Sequence, residues 1–118
     1  MVTATGDPIN PAHYKAHPSG IECIEVTRHC SFDLGNAIKY IWRFADKGGH
    51  EDLRKARWYL ADVLATGQAS YPPHKARKLL NTATQAEAQP DRAKLLALIA
   101  AGQLTTAIEH IDRLVRDG

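Results

Sequence analysis

The stretch LGNAIKYIWRFADKGGHEDLRKARWYL, residues 34–60, decides the fold. Leu34, Ile38, Ile41 and Ala45 recur at the spacing that gathers side chains on one face of an α-helix, so residues 34–46 read as an amphipathic helix. Ser31 to Asp33 offer N-cap oxygens at its start, and Gly48 and Gly49 end it. Glu51 and Asp52 open a second helix, where carboxylates suit the positive end of the helix dipole. Leu53, Ala56, Leu60, Val63 and Leu64 form its buried stripe, and Gly67 stops it. A link as short as Gly-Gly makes the two helices antiparallel neighbours, a central helical hairpin.

On the N-terminal side, residues 1–20 hold Pro8, Pro11, Pro18, Gly6 and Gly20, which predict an extended or turning arm. Residues 21–30 read as a short helix with Ile21, Ile24 and Val26 inward, although their β-branched residues also suit a strand. On the C-terminal side the loop ASYPP (69–73) precedes an alanine-rich, polar and exposed helix over 74–88. Pro90 fits the first turn of another helix, which carries Leu95, Leu96, Leu98 and Ile99 and is closed by Gly102. Leu104, Ile108, Ile111, Leu114 and Val115 mark a last amphipathic helix. The expectation is an all-α chain: an extended arm over 1–20, a helical core over 21–67, and a C-terminal helical hairpin over 68–118 that serves packing or oligomerisation.

The composition agrees with one small domain. There are 118 residues, 44% of them hydrophobic, too many for a disordered chain. A chain this short buries a modest share of its surface, so a homo-oligomer is expected as a further source of stability. No run approaches the ~18 apolar residues that a membrane span requires, and no secretory leader is visible. Cytoplasmic placement follows, with Cys23 and Cys30 reduced. His13, His17, Cys23 and Cys30 match no compact zinc spacing, so no metal is expected.

The formal charge of +2 marks no nucleic-acid binder by itself, but the excess is local. Lys39, Arg43, Lys47, Arg54, Lys55 and Arg57 crowd one segment against Asp46, Glu51 and Asp52. Asn36, Lys39, Tyr40, Arg43 and Lys47 share one face of the first helix; Lys55 and Tyr59 lie one turn apart on the second, beside Trp58. Guanidinium and ammonium groups suit phosphate, rings stack on bases, and asparagine pairs with a base edge. The ordinary role of such residues is a solvated face over a core tryptophan, so pattern alone does not settle a site.

The segments NPAHY (10–14), GIECIEV (20–26), LGNAIKYIWRF (34–44), KGG (47–49) and EDLRKARWYL (51–60) resemble a small phage family, the SaV-like domain of unknown function. The resemblance covers residues 8 to 64. That family is similar to, and is taken to include, the nucleotide kinase of the T-seven-type coliphages. It implies a nucleotide site formed by His13, Tyr14, Asn36, Lys39, Tyr40, Arg43, Lys55 and Trp58, in a protein acting inside an infected bacterium.

Two functions follow as expectations. One is an oligomeric sponge that sequesters a nucleotide-derived immune signal and needs no cofactor. The other is a nucleoside monophosphate kinase, which would use ATP and Mg²⁺, with Asp46, Glu51 or Asp52 as candidate ligands to the cation. The chain has no GxxxxGK[ST] loop, so a kinase here would work without a P-loop. Nucleic acid is a less favoured partner, since no recognition motif is present.

Overall fold

A computed structural model describes residues 17–117. They form six α-helices and, among the described residues, no strand: α1 (Cys23–Thr27), α2 (Phe32–Arg43), α3 (Gly49–Ala65), α4 (His74–Ala86), α5 (Pro90–Ala100) and α6 (Leu104–Asp117). A five-residue π-helical turn, Phe44–Gly48, joins α2 to α3. Of residues 21–30, Cys23–Thr27 form a helix and none forms a strand. Residues 1–16, with His13 and Tyr14, lie outside the described residues.

α2 and α5 begin where a side chain caps them. Ser31 accepts from the Leu34 amide, and Gln89 accepts from the Arg92 amide with Pro90 in the first turn of α5. Leu34, Ile38 and Ile41 of α2 meet Leu53, Ala56, Leu60 and Val63 of α3. α6 packs on α3, α5 lies against α2, α4 and α6, and α1 packs on α2 and α4. One core therefore runs through both halves of the chain.

Several inward positions differ from the expected ones. Phe44 is buried and Ala45 exposed; both flank the α2 stripe, and the phenyl ring has far more apolar area to bury. Ile24 is exposed while Val26 is fully buried, because two residues on a helix face opposite ways. Leu64 is exposed beside the buried Val63. The α4 helix is not simply an outer element: Ala76, Leu80 and Ala83 are fully buried against the core. Its alanines, too small to register as an apolar stripe, let neighbouring helices come close.

The two halves are also tied by a buried ionic cluster. Arg92, at the start of α5, places Nε 2.8 Å from Glu87 Oε1 and an Nη 2.9 Å from Oε2. Its other Nη donates to the Trp42 carbonyl at 2.9 Å and to Asp46 at 3.0 Å. Glu87 also receives His17 Nε2 at 2.8 Å, and the His17 ring lies 5.0 Å from that of Trp42. The Ser19 amide donates to His17 Nδ1, which leaves Nε2 to carry the proton toward Glu87. Burial pushes the Glu87 carboxyl up, but Arg92, the Gln89 amide and His17 together outweigh it and hold the group below its ordinary 4.5.

The π turn has its own fastener. The Asp52 side chain, almost fully buried, accepts from Arg43 Nε at 2.9 Å. Its carboxylate occupies the space that a side chain on Gly48 would need, and Gly49 takes a left-handed φ of 53°. The Gly-Gly pair thus does more than stop a helix: it leaves room for the carboxylate that anchors Arg43.

Arg92→Met should cost on the order of 3–5 kcal/mol in urea unfolding at pH 7, because it strands a buried carboxylate. A group whose folded pKa is lowered stabilises above its unfolded value and ceases to do so as pH falls through the folded one, so the gap between wild type and Arg92→Met should narrow below about pH 4.5. Gly48→Ala and Arg43→Ala should each cost about 1–3 kcal/mol, the first by collision with Asp52 and the second by leaving Asp52 unpaired. Lys39→Ala should stay within about 0.5 kcal/mol.

Candidate functional site

α2 and α3 bring Lys39, Tyr40, Arg43 and Lys55 to one place. The Lys39 Nζ stands 4.5 Å from the Tyr40 ring centroid, the Lys55 Nζ 5.3 Å and the Arg43 guanidinium carbon 5.9 Å. Three cations thus surround one phenol ring, and the negative ring face moderates their mutual repulsion. The Tyr40 ring runs nearly parallel to that of Tyr59, at 11° and 6.1 Å between centroids. Phe32 and Trp58 then meet Tyr59 edge-on at 5.9 and 5.2 Å. Phe32 is 76% exposed and Trp58 61%, so two large apolar rings face solvent beside the cations.

Of the expected residues, Lys39, Tyr40, Arg43 and Lys55 meet directly, and Trp58 joins through Tyr59. Asn36 makes no hydrogen bond to these four among the described residues; its amide donates at 2.8 Å to the Phe32 carbonyl one turn back. Arg43 is partly committed, since its Nε is held by Asp52. Arg57 turns away to form a two-point pair with Asp112 of α6 at 2.6 and 3.2 Å. Trp42 packs partly buried against the core.

Phe32 was not anticipated. It precedes the periodic stripe of α2, and a single aromatic in an N-cap region carries no sequence signal. Tyr59 was visible as a neighbour of Lys55, but its place between two ring systems depends on how the helices pack.

The acidic residues take internal roles. Asp46 bonds Arg92 and Asp52 bonds Arg43, so of the three carboxylates considered for Mg²⁺ only the exposed Glu51 makes no ion pair among the described residues. Asp33, buried at the start of α2, accepts from Gln68 at 2.7 Å. Asp62 hydrogen-bonds to Asp33, and that contact raises the Asp62 carboxyl above its ordinary value. Burial pushes the Cys23 thiol up to about 12 and the Cys30 thiol up to about 11, which disfavours the thiolate form at neutral pH. Among the described residues no three His, Cys, Asp or Glu side chains form a group that could hold a metal ion.

Two grooves on the described surface lie away from this cluster. One is bounded by Glu25, Arg28, His29 and Leu79, the other by residues of α4, α5 and their flanking loops. Neither is lined by Lys39, Tyr40, Arg43, Lys55 or Trp58. No helix is long and apolar enough to cross a membrane among the described residues.

Comparison with known proteins gives no relative from which to take a ligand: no curated protein and no solved structure matches the chain. A family model, described as a protein of unknown function (DUF3310), matches residues 9–61. The match takes in α1, α2, the π turn and most of α3, and with them the whole ring-and-cation cluster.

Proposed function

We propose that the chain binds a nucleotide-derived phosphate ligand on the α2–α3 face, as a homo-oligomeric phage protein that sequesters the ligand without turning it over. The supporting observation is the gathering of Lys39, Lys55 and Arg43 around Tyr40, next to the exposed rings of Phe32 and Trp58. The cations meet phosphate oxygens, and Arg43 has its Nη donors left after Asp52 takes Nε. An exposed ring offers a base-stacking surface, worth about 1–3 kcal/mol per base in single-strand binders. Phe32 and Trp58 also give a second copy of the chain an apolar contact, which would shield the ligand from water.

Binding is favoured over kinase chemistry by the fate of the carboxylates. Phosphoryl transfer draws on acidic side chains to place Mg²⁺ and the attacking group. Here Asp46 and Asp52 are held by arginines.

The test is to incubate the protein with ATP, Mg²⁺ and each nucleoside monophosphate. Intact nucleotide released on denaturation, with no diphosphate formed, is the expected result; diphosphate production overturns the sequestering role. In a separate titration followed by Trp58 fluorescence, Lys39→Ala and Lys55→Ala should each weaken nucleotide binding about tenfold, as loss of a charge-assisted hydrogen bond implies. Trp58→Leu should weaken it by a similar factor when read by calorimetry, and affinity should fall as salt rises. Arg43→Lys, rather than Arg43→Ala, is the usable variant, because it keeps a cation beside the buried Asp52.

A further inference from the structure

The groove between α4 and α5 has a volume of about 570 Å³, within the range of small-molecule sites. It lies wholly beyond residues 9–61. Arg77, Lys78, His74 and Asn81 line one side, with Ala97, Ala100 and Ala101 opposite. No carboxylate is among the lining residues. Elsewhere Arg43, Arg57 and Arg92 each rest on an acid. Arg77 does not: its Nε is buried without a hydrogen-bond partner, and the guanidinium stands 5.7 Å from the Tyr71 ring centroid.

The Nε is closed to solvent and holds the guanidinium in a costly setting, so what the groove presents to a ligand is the rest of the planar fork, which fits a carboxylate or phosphate oxygen. The Tyr71 ring is itself positioned. Gly102 leaves space for it, since a Cβ there would come within 3.1 Å of the ring, and 58% of Tyr71 remains exposed. The groove therefore sets an unspent guanidinium, a lysine and an imidazole beside an accessible aromatic ring.

We infer that this groove is a second ligand site, for a small phosphomonoester carrying a planar ring, with the nucleoside monophosphates as the chemical class. Arg77 and Lys78 hold the phosphate, His74 adds a donor, and the ring lies against Tyr71. None of the residues of the α2–α3 face takes part, so the two sites stand or fall separately.

The experiment is a ¹H–¹⁵N titration of the full chain with AMP, GMP, dTMP, adenosine and inorganic phosphate, following the arginine Nε–Hε resonances. At least one monophosphate should shift the Arg77 Nε–Hε signal saturably. Its nucleoside without phosphate should bind at least tenfold more weakly. Arg77→Lys, which keeps the stem and the charge but loses the fork, should weaken the monophosphate roughly tenfold or more, with Tm and far-ultraviolet circular dichroism confirming the fold. Tyr71→Leu should weaken monophosphates but not inorganic phosphate, and Lys39→Ala should leave the Arg77 response unchanged. An Arg77 signal unmoved by every phosphate overturns the site, as does monophosphate binding of wild-type strength in Arg77→Lys. Loss of the Arg77 response in Lys39→Ala would overturn its independence from the α2–α3 face.

Discussion

The buried pair of Arg92 and Glu87 is the ionic centre through which the C-terminal helices, already sharing one apolar core with the family-matched segment, are held to its α2 end. Glu87 closes α4, Arg92 opens α5, and the same guanidinium reaches back to the carbonyl of Trp42 at the end of α2 and to Asp46 in the π turn. His17 completes the cluster from the N-terminal side. Ion pairs on a surface contribute little, but here Glu87 is nearly inaccessible, and removing its partner would leave a charge with no water to solvate it. Such a cluster specifies geometry more than it adds stability: an apolar filler could pack the same space but could not fix the C-terminal end of α2 against the start of α5.

From that fixed end the rest of the α2–α3 face follows. The π turn passes between Arg92 on one side and the Arg43–Asp52 pair on the other. Single π turns are rare and tend to occur where a helix is bent to a purpose. This one sets the spacing between α2 and α3 at the level of Tyr40 and Tyr59, whose rings run side by side. Arg43 therefore has two duties. One nitrogen holds the turn and the guanidinium as a whole contributes to the charge around Tyr40. A loss of binding in an Arg43 variant would mean little unless the turn were shown to be intact.

Much of this was legible in the sequence, and the limits have physical reasons. Periodicity located α2, α3, α5 and α6 because each buries a regular apolar stripe, and the Gly-Gly and Pro90 positions marked boundaries through backbone restrictions that any chain obeys. Helical spacing also put Lys39, Tyr40 and Arg43 on one face. It could not show that Asp52, in the first turn of a helix, is buried rather than solvated: that depends on Gly48 having no side chain. Nor could it separate Phe44 from Ala45 or Val63 from Leu64, since adjacent residues on the margin of a stripe are sorted by the neighbouring helix. The buried face of α4 was missed because its inward residues, Ala76 and Ala83, have little hydrophobic signal of their own.

The net charge of +2 conceals a division of labour among the basic side chains. Arg57 and Arg92 are bound to carboxylates of the chain itself, and their charge is spent on packing α3 to α6 and α5 to α2. Among the described residues, Arg77, Lys78, Lys39 and Lys55 pair with no such carboxylate, and each stands in a groove or beside an aromatic ring. Lys39, Lys55 and Lys78 are exposed and solvated, so water already satisfies their charge, whereas the Arg77 Nε is buried without a hydrogen-bond partner. An anion from outside is the partner that the proposed sites would offer these cations, by the same chemistry that Glu87 and Asp52 supply to Arg92 and Arg43 from within.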